Sequence, residues 1–147
     1  MKKIYRGIFK KRLILSFAIV VFILLTPLST QAAERAPDFT VETTTRDEFT
    51  LSEQDEPVLI EFMTPLCSDC ERVEEKLRDL HPIYEENISF ISIDISDTPI
   101  EELRRVKEDR HIPWIVGRGD PELFTKYGGS TVPRIIIINR ERFITFE

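Results

Sequence analysis

Residues 58–62 read Val, Leu, Ile, Glu, Phe, a nearly unbroken apolar run of strand length, and by Cys70 the pattern has changed to a helical stripe. A run without polar alternation predicts a strand covered on both faces, which is a central strand. From Cys70 onward Val73, Leu77 and Leu80 recur on one stripe, while Glu71, Arg72, Glu74, Glu75, Lys76, Arg78 and Asp79 take the remaining face, so an amphipathic helix packs on that sheet until His81-Pro82 ends or bends it. A second strand follows in the alternation of Ile88, Phe90, Ile91, Ile93 and Ile95. Thr98-Pro99-Ile100-Glu101 predicts a helix start, with Thr98 as cap and Pro99 at the first helical position, carrying Ile100, Leu103 and Val106 inward. Residues 112–116 form a short strand, Asp120-Pro121 opens a short helix closed by Gly128-Gly129, and residues 134–138 are a third apolar strand turning back as a hairpin through residues 139–146. Strands alternating with helices predict an α/β layer fold with a mixed sheet.

Residues 34–57 are polar and turn-rich, with strand-like patches around Phe39 and Phe49, and read as a small hairpin preceding the main fold. The chain of 147 residues has room for one domain and one site. Before that domain, six of the 20 Lys and Arg residues fall within residues 1–32, which hold no acid; the remainder carries 14 basic and 26 acidic residues, a balance of −12. So acidic a domain cannot release counterions from a phosphate backbone, which argues against nucleic acid as a partner. The basic stretch to Arg12, the apolar residues 13–25 broken only by Ser16, Pro27 and the small residues up to Ala33 have the order of a secretory signal. The apolar run is shorter than the roughly 18 to 20 residues that span a bilayer comfortably. Residues 1–33 are expected to be cleaved near Ala32 or Ala33, with a membrane tether through residues 13–28 as the alternative. Either outcome places residues 34–147 outside the cytoplasmic membrane.

An extracytoplasmic compartment permits disulfides, so a close pair of cysteines there is structural or redox-active. Cys67-Ser68-Asp69-Cys70 lies where the buried strand gives way to the helix. Free N–H groups and the helix dipole at that point stabilise a thiolate on Cys67, and Cys70, one turn inside, is placed to resolve a mixed disulfide. A metal site would need further ligands, and His81 and His111 stand in no metal-binding spacing. A static disulfide around a two-residue loop would stabilise weakly. These two remain alternatives to redox exchange, which calls for no cofactor and no metal.

The strand running into Cys67-x-x-Cys70, followed about sixty residues later by Tyr127-Gly128-Gly129-Ser130-Thr131-Val132-Pro133 and an apolar strand, resembles the thioredoxin fold. Ala36-Pro37-Asp38-Phe39-Thr40 and the extra strand and helix between the halves resemble the extracytoplasmic TlpA-like thiol-disulfide oxidoreductases and their redoxin relatives. The resemblance implies a thioredoxin-like fold over residues 34–147: a central mixed sheet flanked by helices with an N-terminal hairpin extension. It implies that Cys67 attacks, that Cys70 resolves, and that Pro133 is a cis-proline facing them, with the Val132 backbone free to pair with an extended substrate segment. Glu61, six residues before Cys67, corresponds to the buried acid beneath the resolving cysteine, able to exchange a proton with Cys70.

The departures from the family pattern matter as well. Leu66 stands where thioredoxins carry tryptophan, Met63 replaces an aromatic residue, and Trp114 is read as core. Asp69 and Glu71 oppose a thiolate on Cys67, which favours a reducing poise. Thioredoxin folds continue from the last hairpin into a covering helix, and here the sequence ends at Glu147; either it is truncated, or a partner or the rest of a longer product covers that face. The expected activity is a protein-disulfide oxidoreductase, more in the reducing direction, exchanging with protein thiols and disulfides and recharged by a membrane or soluble electron donor. The alternatives are a disulfide-donating oxidant, and a non-catalytic thiol pair serving as metal or apoprotein chaperone or binding module. A peroxidase would match Thr64 three residues before Cys67 but would want proline at Ile60.

Overall fold

The computed structural model describes residues 34–147, so the expected leader, whether cleaved or kept as a tether, lies outside the described residues. Seven strands form one sheet: β1 (Thr40–Thr43), β2 (Glu48–Thr50), β3 (Val58–Met63), β4 (Ser89–Asp94), β5 (Ile115–Arg118), β6 (Arg134–Ile138) and β7 (Ile144–Phe146). Their spatial order is β2-β1-β5-β4-β3-β6-β7, with β3, β4 and β5 parallel and every other pairing antiparallel. The N-terminal hairpin therefore joins the main sheet, because β1 pairs with β5 through Glu42 and Thr43. β3 is an interior strand, between β4 and β6, with all six residues buried, as its unbroken apolarity predicts.

Three helices cover the sheet: α1 (Ser68–Tyr84), α2 (Ile100–Asp109) and α3 (Pro121–Lys126). Alternation along β3 separates two cores. Leu59 and Met63 face a layer built with Cys70 and Leu77 of α1, Leu103 of α2, Phe90, Ile112, Trp114 and Val116. Val58, Ile60 and Phe62 face the opposite layer, where Phe39, Phe49, Phe124 and Tyr127 gather. There the Phe62 ring lies 5.3 Å from that of Phe124 and 5.5 Å from that of Tyr127. On β6, Ile136 and Ile138 are buried, whereas Ile135 and Ile137, on the α1 side, are only half-buried.

Three local expectations are corrected. α1 continues past Pro82 to Tyr84, since a proline two residues from the end costs a helix one backbone bond and leaves its last turn to close through Glu85 N–H donating to the His81 carbonyl at 2.8 Å. Its inward stripe is Cys70, Glu74 and Leu77; Leu80 is 42% exposed. Thr98 does not cap α2, which starts after Pro99 without a side-chain cap. Instead Asp94, buried at the end of β4, accepts from the backbone N–H groups of Ser96 (3.1 Å) and Thr98 (2.9 Å) and fixes the connecting loop.

α3 is opened by Asp120, whose side chain accepts from Leu123 N–H at 2.7 Å, and closed by Gly128 at φ +66°. A Cβ on Gly129 would overlap the buried ring of Phe124. Gly129→Ala is accordingly expected to cost about 1–3 kcal/mol, read as a lowered urea midpoint. A midpoint equal to the parent's would show that the ring can move aside.

Candidate active site

The end of β3 and the start of α1 build the site. After Met63 the chain turns through Thr64, Pro65 and Leu66, with Cys67 N–H donating to the Thr64 carbonyl at 3.2 Å. Cys67 is the N-cap of α1: its backbone is extended, and its Sγ accepts from Cys70 N–H at 3.1 Å. One of the donors that a helix leaves unpaired in its first turn thus points at this sulfur. Cys67 and Cys70 are joined in a disulfide, their Cα atoms 5.2 Å apart. The two sulfurs differ sharply in access, for Cys67 is half-buried at the rim while Cys70 is completely buried. Leu66 stands 99% exposed immediately before them.

The charges beside the disulfide are more nearly balanced than the sequence suggests. Asp69 is ion-paired with Arg72, and Glu71 with Arg110 at 3.1 Å. Their opposition to a thiolate on Cys67 is thereby reduced, a correction that arises because Arg110 reaches the site from beyond α2. Arg110 also donates to the Pro65 carbonyl and so ties down the turn that carries Cys67.

Glu61 lies on the same face of β3 as Leu59 and Met63, which pack in the layer that holds Cys70, and has no exposed surface. Its Oε2 accepts from the Ser92 hydroxyl at 2.6 Å, and Ser92 in turn accepts from the Trp114 indole N–H at 2.8 Å. Burial pushes the Glu61 carboxyl up to about 8; the charge of Glu74 pushes the same way, while the Ser92 hydrogen bond and Arg110 pull against them. Trp114 is core, as read from the sequence, but its polar edge also orders Ser92. Ser92 and Arg110 escape a sequence reading, having no motif and reaching Glu61 and Glu74 only through the fold.

Val132 packs against the layer that holds Cys70 and borders Cys67, and the Val132–Pro133 peptide is cis. Pro133 immediately precedes β6, whose Arg134 pairs with Phe62 at the end of β3, so the proline loop and the cysteine turn share one end of the sheet. On the other flank, a groove of about 430 Å³ runs between Thr64, Pro65 and Leu66 and the loop at Ser96, Asp97 and Pro99. Among the described residues no group of three or more His, Cys, Asp or Glu side chains is arranged to hold a metal ion. His81 and His111 are not brought to the disulfide: His81 packs on Phe90 and Trp114, and His111 follows α2.

Several solved structures share this architecture. The chain superposes with TM-score 0.70 on a Bacteroides thetaiotaomicron protein provisionally named protein disulfide isomerase, at 24% identity over 78% of this chain and 76% of that one. It matches the thioredoxin domain of a thiol-disulfide oxidoreductase from Bacteroides vulgatus with TM-score 0.70, at 17% identity over 76% and 84% of the two chains. A thiol-disulfide oxidoreductase from Bacteroides fragilis gives TM-score 0.68, at 16% identity over 77% and 88%. The fold is thioredoxin-like, with the seven-stranded mixed sheet and three helices described above. No curated protein sequence matches the chain. The AhpC/TSA family model, however, matches residues 32–147, which takes in every strand and helix around the disulfide, and the chain belongs to the AhpC/TSA family.

Proposed function

We propose that the chain is a thiol-disulfide oxidoreductase that exchanges Cys67 and Cys70 with protein disulfides outside the cytoplasmic membrane, in the reducing direction. The observation that carries this is the asymmetric disulfide at the start of α1: a half-buried cysteine at the helix N-terminus joined to a fully buried one. Reduced Cys67, as thiolate, attacks a partner disulfide and releases one partner sulfur. Glu61 takes the proton of Cys70, whose sulfur then displaces the second partner sulfur from Cys67 and regenerates the Cys67–Cys70 disulfide. Two electrons pass to the partner, and an electron donor restores the dithiol.

Val132 and Pro133 seat the extended partner segment beside Cys67, at the end of the sheet they share with it. The order of the leader supports residues 1–33 as signal or tether and residues 34–147 as the working domain. Family membership and the names carried by similar structures support the chemistry. The acids at 69 and 71 support the reducing direction, though each has an arginine partner.

A redox titration of the cysteine pair, followed by alkylation and mass, tests the proposal. The expected result is a reversible two-electron couple near or below roughly −250 mV. A couple near roughly −120 mV would reverse the direction to that of a disulfide donor, and no couple at all would overturn the exchange reading.

A further inference from the structure

Glu74 is a buried carboxyl that neither the sequence pattern nor the exchange steps account for. It has no exposed surface; its Oε1 accepts from Arg110 at 2.9 Å, and its Oε2 has no partner. Glu61 is in the same position, with Oε2 held by Ser92 and Oε1 unpartnered. Folded proteins rarely leave buried carboxyl oxygens unpaired, and here two sit on adjacent elements of one layer. Regular helix and strand geometry also brings them to about the same level. A helix that follows a strand through a four-residue turn folds back along it. One helical turn from Cys70 to Glu74 advances about 6 Å, while two strand residues from Met63 back to Glu61 cover about 6.6 Å. The charge of Glu74 accordingly acts on Glu61. On its outer side Glu74 borders a surface crevice of about 250 Å³, lined on its own helix by Glu71, Glu75 and Arg78 and from the end of α2 by Asp109, Arg110 and His111.

We propose that Glu74 is the second carboxyl of the redox site, through which the proton exchanged between Glu61 and the Cys70 thiol passes to and from the crevice beside Arg110. The proposal rests on the exchange reading, with Glu61 as the proton partner of Cys70. When Cys70 attacks, the bond between Cys67 and the partner sulfur breaks and the Cys67–Cys70 bond forms. The partner sulfur leaves with the electron pair, and the proton of Cys70 goes to Glu61, then to Glu74, then to water in the crevice. Reduction of the disulfide runs the proton the other way, so that Cys70 is protonated from the side of the helix that the disulfide does not occupy. The groups that set the pair are Arg110, Arg78 and Glu71 around Glu74, and Ser92, Glu74 and Arg110 around Glu61. Burial raises Glu74 as well, with Arg110 and Arg78 opposing it.

The test follows the side-chain carboxyl carbons of Glu61 and Glu74 by NMR across pH in the disulfide form of the full chain. A second arm measures the pH profile of mixed-disulfide resolution in the reduced protein. In the unsubstituted protein both carboxyls are expected to titrate in two shared steps. In Glu74→Gln, which keeps an acceptor for Arg110, Glu61 is expected to titrate in one step with its midpoint lower by about one pH unit. The resolution profile should move with it and its plateau fall about tenfold. Independent single-step curves in the unsubstituted protein overturn the coupling without recourse to any variant. A Glu61 midpoint that moves while the resolution profile and plateau stay put overturns the proton route. Failure of the underlying reading looks different: resolution unchanged in Glu61→Gln removes Glu61 as proton partner, and the route falls with it even if the carboxyls titrate together.

Discussion

Cys67→Ser is expected to abolish disulfide exchange completely, whereas Cys70→Ser is expected to keep the first attack and accumulate a covalent adduct with the partner protein. The difference follows from access, since only Cys67 lies at the rim with a helix N–H directed at its sulfur, and Cys70 is sealed beneath it. A serine hydroxyl stays protonated at neutral pH and cannot replace the thiolate as nucleophile. With Cys70 gone, the mixed disulfide on Cys67 has no internal thiol to release it. Non-reducing gels with a disulfide-bearing partner, followed by mass analysis, read both outcomes. An adduct forming on Cys70 in the Cys67→Ser variant would invert the roles assigned to the two sulfurs.

The second large effect is a stability that falls as pH rises, with Glu61 as its source. An unfolded chain releases the Glu61 proton near 4.5, while the folded protein holds it to about 8. Across that interval the folded state binds more protons, so stability is greatest below about pH 4.5 as far as this group is concerned. It is lost progressively up to about 8 and levels off above that. The loss is on the order of a few kcal/mol in the disulfide form, reduced by whatever relaxation admits water to the carboxylate. Glu74, raised by the same burial, acts in the same direction. Glu61→Gln is expected to flatten the profile and to be more stable than the parent above pH 8, where the parent buries a charge. Urea denaturation at intervals from pH 5 to pH 9 measures this, and parallel profiles for parent and variant would remove Glu61 as the cause. The same variant is expected to slow resolution of the mixed disulfide by about a hundredfold near neutral pH, where the parent still holds enough carboxylate to take the Cys70 proton.

Much of this arrangement is legible in the sequence because its strongest signals are local. The run at residues 58–62 announces a strand covered on both faces, and the CxxC at the following helix places the two sulfurs without any tertiary information. An acid inside such a run has nowhere to go but inward, which is why Glu61 could be picked out. Glu74 could not. It sits among seven other charged residues on α1 and looks like part of a solvated face; its burial is made acceptable by Arg110, 36 residues further on, and a helical period carries no trace of that partner. Leu80 is the mirror case, an apolar residue on the expected stripe that the sheet does not reach. Thr98 has the residue type of a cap, but the buried Asp94 carboxylate captures its N–H first and moves the helix start past it. In each instance what surrounds the residue in the fold, and not its own type or period, decides its place.

The two cores on either side of β3 mean that this protein can be made sturdier without being made a different reagent. Phe39, Phe49, Phe124 and Tyr127 all lie across the sheet from the cysteines and the two buried carboxyls. Substitutions there change how firmly the sheet is held but leave the polar contacts of Glu61 and Glu74 in place, and effects at separated sites add nearly independently. Residues such as Phe90, Leu103 and Trp114 enjoy no such freedom, because they fill the layer that holds Cys70, in which the proposed exchange handles the proton and the thiolate. Tolerance to change should therefore be lopsided across the sheet, permissive on the aromatic side and strict on the side of α1.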